Sequence, residues 1–254
     1  MLESYIRGCL AKKKILLMTH IVIGYPSFEK AYDIIAAMVD AGVDLMELQI
    51  PFSEPIADGP VILHANQKAL AAGSSVKKCL EFAHKVTRRF DIPFLFMTYY
   101  NILFKYGVTE FVSEMAECGI RGAIVPDLPP EEGRDYLTAM EERRLDPIFI
   151  FSPTTPDERM RYLASMASGF IYCMARKGVT GKETVFSAEL DAYILRCRQA
   201  TDLPLAIGFG VKSKEDVDFL TKKADIAVIG SQTIRLIDQT EVSAVGGFIR
   251  ELQR

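Results

Sequence analysis

Two acids in one stretch could do proton chemistry: Glu47 and Asp58 in Met46-Glu47-Leu48-Gln49-Ile50-Pro51-Phe52-Ser53-Glu54-Pro55-Ile56-Ala57-Asp58-Gly59-Pro60. The stretch starts as a short apolar run and ends in turn residues, the pattern of a strand breaking into a loop. Side chains alternate along a strand, so Leu45, Glu47 and Gln49 share one face, and Met46, Leu48 and Ile50 the other. A charge inside such a strand is costly to bury without a partner. Two readings of these residues stay open. One is a charged edge strand followed by an Asp-Gly turn. The other is a pair of carboxylates brought together for acid–base work.

Glycines suggest a second kind of chemistry. Gly208-Phe209-Gly210 and Gly230-Ser231 each follow a short apolar run. Glycine lets the backbone approach an anion closely, and N–H groups at a helix start can bind it. No Walker lysine follows, so this is not a P-loop. The segment Ala175-Arg176-Lys177-Gly178-Val179-Thr180-Gly181 is polar and contains glycines. It reads either as a plain connection or as a lid that closes over a ligand.

These residues need a scaffold. Runs at 15–23, 45–50, 93–98, 122–125, 147–151, 170–174, 203–207 and 226–229 read as strands. Helical patterns fall at 2–12, 28–41, 64–72, 76–90, 109–118, 131–144, 156–167, 188–200, 213–222 and 241–252, with stops at Gly42 and Gly119 and caps at Thr155 and Ser213. Regular strand–helix alternation predicts a parallel sheet. Eight strand–helix units in 254 residues predict a closed (β/α)8 TIM barrel with a short N-terminal helix, as a single domain over 1–254. Such barrels put their chemistry at the C-terminal ends of the strands. Glu47, Tyr99, Asp127, Tyr172 and Gly208 all fall at or just past a strand end, so one mouth can collect them.

Composition removes several alternatives. Net charge is −3, from 30 basic and 33 acidic residues, which argues against nucleic acid as the main partner. Five widely spaced cysteines form no Cys-x-x-Cys, and three histidines have no ligand spacing, so no metal cofactor is expected. Free thiols suit a cytoplasmic location. Lys12 to Lys14 before an apolar run mimics a signal peptide, but no small-residue cleavage site follows. No apolar run approaches the ~20 residues of a membrane span.

The stretch 46–60 resembles the signature of the tryptophan synthase alpha chain family, in which Leu-Glu-Leu-Gly-x-Pro-Phe-Ser-Asp-Pro-x-Ala-Asp-Gly-Pro is usual. Further matches are Thr98-Tyr99-Tyr100-Asn101, Val125-Pro126-Asp127-Leu128-Pro129, Pro153-Thr154-Thr155, Gly169-Phe170-Ile171-Tyr172, Gly178-Val179-Thr180-Gly181, Gly208-Phe209-Gly210 and Gly230-Ser231. The resemblance implies a (β/α)8 barrel that cleaves indole-3-glycerol phosphate to indole and glyceraldehyde 3-phosphate. It implies Glu47 as acid/base and Asp58 as acceptor for the indole N–H. Tyr99, Asp127, Tyr172, Thr180 and Phe209 would contact substrate, Tyr99 and Asp127 with less defined roles. Gly181, Gly208, Gly210, Gly230 and Ser231 would hold phosphate. No cofactor is implied in this chain, pyridoxal phosphate belonging to a beta subunit. That beta chain would dock at Glu54, Pro55, Asn101 and Phe104, giving an alpha2beta2 heterotetramer.

The chain departs from the family pattern at four places. Gln49 stands for glycine, His20 for an aromatic residue, Val22 for threonine and Ala175 for serine. On the shared face of its strand, Gln49 is expected to hydrogen-bond Glu47, hold it ionised and, with His20 in the indole pocket, slow cleavage, so that Gln49→Gly, alone or with His20→Phe, would raise the rate. A binding-and-activating subunit with weak cleavage is the alternative. A third reading, another phosphate-binding barrel such as an epimerase or sugar isomerase, lacks support, because no metal-type histidine set or strand-end lysine pair is evident in the sequence.

Overall fold

A computed structural model of the chain describes residues 2–174, 188–208, 210–239 and 241–254. In chain order the elements begin α1 (Leu2–Leu10), β1 (Leu16–Val22), α2 (Phe28–Asp40), β2 (Leu45–Gln49), α3 (Pro60–Ala71), α4 (Val76–Arg89) and β3 (Phe94–Met97). Next come α5 (Tyr100–Tyr106), α6 (Val108–Glu117), β4 (Gly122–Ile124), α7 (Arg134–Glu142), β5 (Asp146–Ile148), β6 (Ile150–Phe151) and α8 (Asp157–Met166). The chain closes with β7 (Ile171–Met174), α9 (Ala188–Ala200), β8 (Leu205–Gly208), α10 (Lys214–Leu220), β9 (Ile226–Ile229), α11 (Ser231–Gln239) and α12 (Val242–Leu252).

The strands form one sheet in the order β5-β4-β3-β2-β1-β9-β8-β7-β6, and the pairings are parallel. The expected fifth strand is divided in two. β5 pairs with β4 and β6 with β7, and only Phe149 lies between them. The Phe149 carbonyl still accepts from Tyr172 N at 3.0 Å. The sheet is therefore a barrel whose fifth strand pairs on one side at its start and on the other at its end, as strand stagger in a barrel requires.

The side-chain alternation read from the sequence holds. Leu45 belongs to the inner cluster of the barrel with Leu16, Met18, Leu95, Ile124 and Val228. Met46 and Leu48 pack outward with Ile34, Met38 and Ala83 of the helices. Helix α1 closes the N-terminal end, and its Leu2 and Ile6 join the inner cluster. At this end carboxylates bind backbone across the barrel. Asp146 accepts from Leu2 N at 3.0 Å and Asp44 from Leu17 N at 2.9 Å, while Asp225 accepts from Leu205 N at 2.7 Å.

Helix ends follow local chemistry in most cases. Gly42 and Gly119 end α2 and α6 with φ of +93° and +79°, a region that favours glycine. Ser213 caps α10 in a capping box with Asp216. Thr155 does not cap α8; Pro156 holds that position, and the Thr155 hydroxyl accepts from Ser152 N instead. Helix α3 starts at Pro60 rather than His64, with proline in the first turn where no N–H is needed. Two helices, α5 and α11, occupy stretches that read as connections. Both depend on partners far away in sequence. Asp127 accepts from the Tyr100 N–H at the start of α5, and Thr233 Oγ1 of α11 donates to the His20 carbonyl at 2.9 Å.

The plug helix carries a stability prediction. Ile6 is fully buried, so Ile6→Ala is expected to cost about 2–4 kcal/mol through lost burial and a residual cavity. Urea unfolding followed by circular dichroism checks this.

Candidate active site

Adjacent strands bring the central residues together. In the β1–β2 register His20 is opposite Glu47, and Val22 is opposite Gln49. His20 has the same parity as Leu16 and Met18, so it points into the barrel with Glu47 and Gln49. The two titratable side chains are buried, at 4% exposure for His20 and 3% for Glu47. His20 Nδ1 lies 2.9 Å from Glu47 Oε2. The other atoms of the pair, His20 Nε2 and Glu47 Oε1, have no hydrogen-bond partner in the protein. Both residues line a cavity at the C-terminal mouth, together with Asp58, Tyr172, Gly208, Gly210, Gly230 and Ser231.

The contact expected between Gln49 and Glu47 is not the one that forms. Gln49 Nε2 donates to Asp58 Oδ2 at 2.5 Å, and the bond to Glu47 comes from His20. The loop after β2 folds back over the strand end and brings Asp58 within reach of Gln49. Several contacts hold that loop. Phe52 stacks on Tyr99 with ring centroids 5.1 Å apart, and Tyr99 Oη accepts from Ala57 N at 3.2 Å. Asn66 of α3 accepts from Phe52 N at 2.9 Å and donates to the Ile62 carbonyl. Asn66 was not singled out in the sequence, because a polar residue in a helix offers no local sign that it binds a loop.

Electrostatics follow from burial and these partners. Burial alone would lower the His20 pKa, but the hydrogen bond and charge of Glu47, then Asp58 and Gln49, outweigh it and raise it. Burial raises the Asp58 pKa. The His20 charge and hydrogen bonds from Gln49 and Tyr99 oppose that rise without cancelling it. Burial, with the charges of Glu47 and Asp58, holds the Tyr172 phenol well above its ordinary value, so it stays neutral. The cavity thus pairs an imidazole-bound carboxylate with an amide-bound carboxylate and a neutral phenol.

The far part of the lining suits an anion. Gly208 ends β8, Gly210 has φ of +87°, and Gly230-Ser231 leads into α11. The first turn of α11 offers N–H groups and the positive end of the helix dipole. A Cβ on Gly208 would lie 2.7 Å from the Tyr172 hydroxyl oxygen, so glycine is also needed for close approach of that ring. Lys212 and Arg235 line the same cavity and add positive charge. The sequence reading missed both. Lys212 adjoins the Gly-x-Gly turn and could have been found there, whereas Arg235 depends on α11 being helical.

Other expected site residues divide into three groups. Tyr99 and Asp127 lie behind the wall rather than in the cavity lining. Tyr99 supports loop two, and Asp127 accepts from Tyr100 N at 2.9 and 3.1 Å. Glu54, Asn101 and Phe104 are exposed at the rim, with Pro55 buried beneath them. Thr180, Gly181 and Phe209, with Ala175 and the rest of the expected lid, lie outside the described residues.

A (β/α)8 barrel with two carboxylates and a glycine lining suited to an anion in one mouth has the make-up of an enzyme that uses acid–base chemistry on a phosphorylated substrate. Comparison with known proteins gives the particular kind. The family model for the tryptophan synthase alpha chain matches residues 6–251. The tryptophan synthase alpha chain of Desulforapulum autotrophicum is 65% identical over 252 residues, covering 99% of this chain and 100% of the relative. That of Syntrophotalea carbinolica is 62% identical over 253 residues, with full coverage of both. A solved structure of Mycobacterium tuberculosis tryptophan synthase superposes with a TM-score of 0.93 at 30% identity, covering 99% of this chain and 96% of that one. The chain belongs to the tryptophan synthase alpha chain family. In that role it is the lyase component that cleaves indole-3-glycerol phosphate to indole and glyceraldehyde 3-phosphate.

The Gln49 contact reverses one expectation. Because Gln49 holds Asp58 rather than Glu47, Gln49→Gly should not raise cleavage. It should free the Asp58 carboxylate and lower kcat/KM by roughly tenfold, about 1.4 kcal/mol. Steady-state indole release by the variant and the unmutated chain decides between the two directions.

Proposed function

We propose that the lyase reaction runs on Glu47 and Asp58. The observation that carries this reading is that both carboxylates line one cavity with the Gly208, Gly210, Gly230 and Ser231 backbone. Cleavage needs a proton delivered to indole C3 and one removed from the adjacent glycerol hydroxyl. The free oxygen of Glu47 can do both in turn, since the proton it gives is replaced by the one it takes. When C3 is protonated, positive charge develops on the indole nitrogen, and the Asp58 carboxylate accepts its N–H and stabilises that charge. Tyr172 packs the ring side of the cavity. The glycine backbone and the α11 N-terminus bind the phosphate, with Lys212 and Arg235 adding charge. Phe209, Thr180 and Gly181 are assigned to substrate and phosphate contact in this reading by their match to the family pattern alone.

The reading treats residues 1–254 as a single barrel unit acting in the cytoplasm without a metal or organic cofactor. Among the described residues no helix is long and apolar enough to cross a membrane, and no group of three or more His, Cys, Asp or Glu could hold a metal. The test is indole release from indole-3-glycerol phosphate by metal-free protein. We expect activity to survive chelator dialysis, Glu47→Gln to lower kcat at least about 10²-fold, and Gly210→Asp to raise KM by adding bulk and like charge at the anion site. A Glu47→Gln variant with unchanged kcat overturns the assignment.

The partner in this reading is a pyridoxal-phosphate beta chain, in an alpha2beta2 assembly. Ile56 and Phe104 are the most exposed large apolar side chains among the described residues, at 73% and 70%. They sit with Glu54, Pro55 and Asn101 on loop two and α5, next to the mouth. Exposed apolar anchors ringed by polar residues suit a protein interface. Calorimetry with a cognate beta chain should detect a complex that Phe104→Asp weakens at least tenfold. Equal affinity for both forms rules out this surface.

A further inference from the structure

Glu47 has two oxygens, and the structure treats them differently. Oε2 is held by His20 Nδ1 at 2.9 Å, while Oε1 has no partner and belongs to a side chain lining the cavity. Both side chains are at least nine-tenths buried. We propose that His20 is a positioning residue that acts through Glu47: it fixes the carboxyl with Oε1 turned to the substrate and stabilises the carboxylate formed when that oxygen gives up its proton. This rests on the lyase reading above and adds a residue to it.

The proton accounting is closed. Glu47 Oε1–H protonates indole C3, the ring nitrogen becomes an iminium, and Glu47 is left as a carboxylate. The glycerol hydroxyl then loses its proton to Oε1. Its O–H pair becomes the C=O of the aldehyde, and the pair of the broken carbon–carbon bond returns to the indole ring. His20 gives and takes nothing overall. It lowers the energy of the anionic stage by a charge-assisted hydrogen bond in a low-dielectric site, where such a bond is strong.

The groups that act on the ring are Glu47 and Gln49 on β2 and Asp58 in the loop after it, and Tyr172, Lys212 and Arg235 line the same cavity. Burial works against the charged ring, but the two carboxylates outweigh it, so the imidazolium persists above the ordinary histidine value. Its support for the Glu47 anion is therefore present at lower pH and is lost as pH rises through that raised value.

Three variants test the inference in the full chain: His20→Phe, His20→Asn and Glu47→Gln. His20→Phe should lower kcat by about 10² with KM changed little, as loss of alignment at a reacting group does. In His20→Asn the amide can stand in for Nδ1, so part of the kcat should return. The alkaline limb of the kcat profile that follows the imidazole should not return, because the amide does not titrate. Nitrogen-15 NMR of the ring covers the case in which an apolar variant fails to fold: Glu47→Gln should move the His20 titration to lower pH. Unchanged kcat in His20→Phe, an unchanged alkaline limb in His20→Asn, or a His20 titration indifferent to Glu47→Gln would overturn the role. Absence of indole release by the unmutated chain would instead remove the lyase reading, and the ring titration would still decide whether His20 and Glu47 are coupled.

Discussion

Glu47 carries a carboxylate inside a barrel otherwise filled by Leu16, Met18, Leu45, Leu95 and Val228. An unpaired charge there would cost several kcal/mol. Its partner, His20, sits directly across the β1–β2 ladder. The pairing depends on parallel register, since a slip of one residue would turn either side chain into the helix layer. Barrel closure, the facing of β1 and β2, and the fixed aim of the free oxygen are therefore parts of one constraint.

The second carboxylate is secured differently. Asp58 lies in a loop, where backbone alone positions poorly. A relay compensates: Asn66 holds the Phe52 backbone, Phe52 stacks on Tyr99, Tyr99 accepts from Ala57, and Gln49 reaches Asp58 from the strand below. Where the family pattern has glycine at position 49, this chain has a side chain that ties the loop to the C-terminal end of β2. His20 and Gln49 are best understood together, since each holds one oxygen of one of the two acids.

The two ends of the barrel divide the work. At the N-terminal end, Asp44, Asp146 and Asp225 bind backbone N–H groups and α1 fills the opening. These acids are fully engaged and have no part in the cavity lining. At the C-terminal end, His20 and Glu47, each with a polar atom that has no partner in the protein, line a cavity. Satisfied polar groups at one end and unsatisfied ones at the other follow the usual separation of stability from chemistry in (β/α)8 barrels.

The strand and helix alternation, the inward face of Glu47 and Gln49, the helix stops at Gly42 and Gly119 and the Ser213 cap are all readable in the sequence. Each depends on side-chain period or on a residue's own backbone preference, which act within a few positions. The strand-end glycines were legible for the same reason. The pairing of the polar groups was not. Gln49 is two residues from Glu47 in sequence but bonds Asp58, because the loop returns over the strand, and His20 comes to Glu47 only through the ladder. Helix α5 waits on Asp127, and Arg235 reaches the cavity only because α11 forms against β1. Local chemistry determines where strands and turns can be, while contacts across the chain decide which acid each hydrogen-bond donor meets.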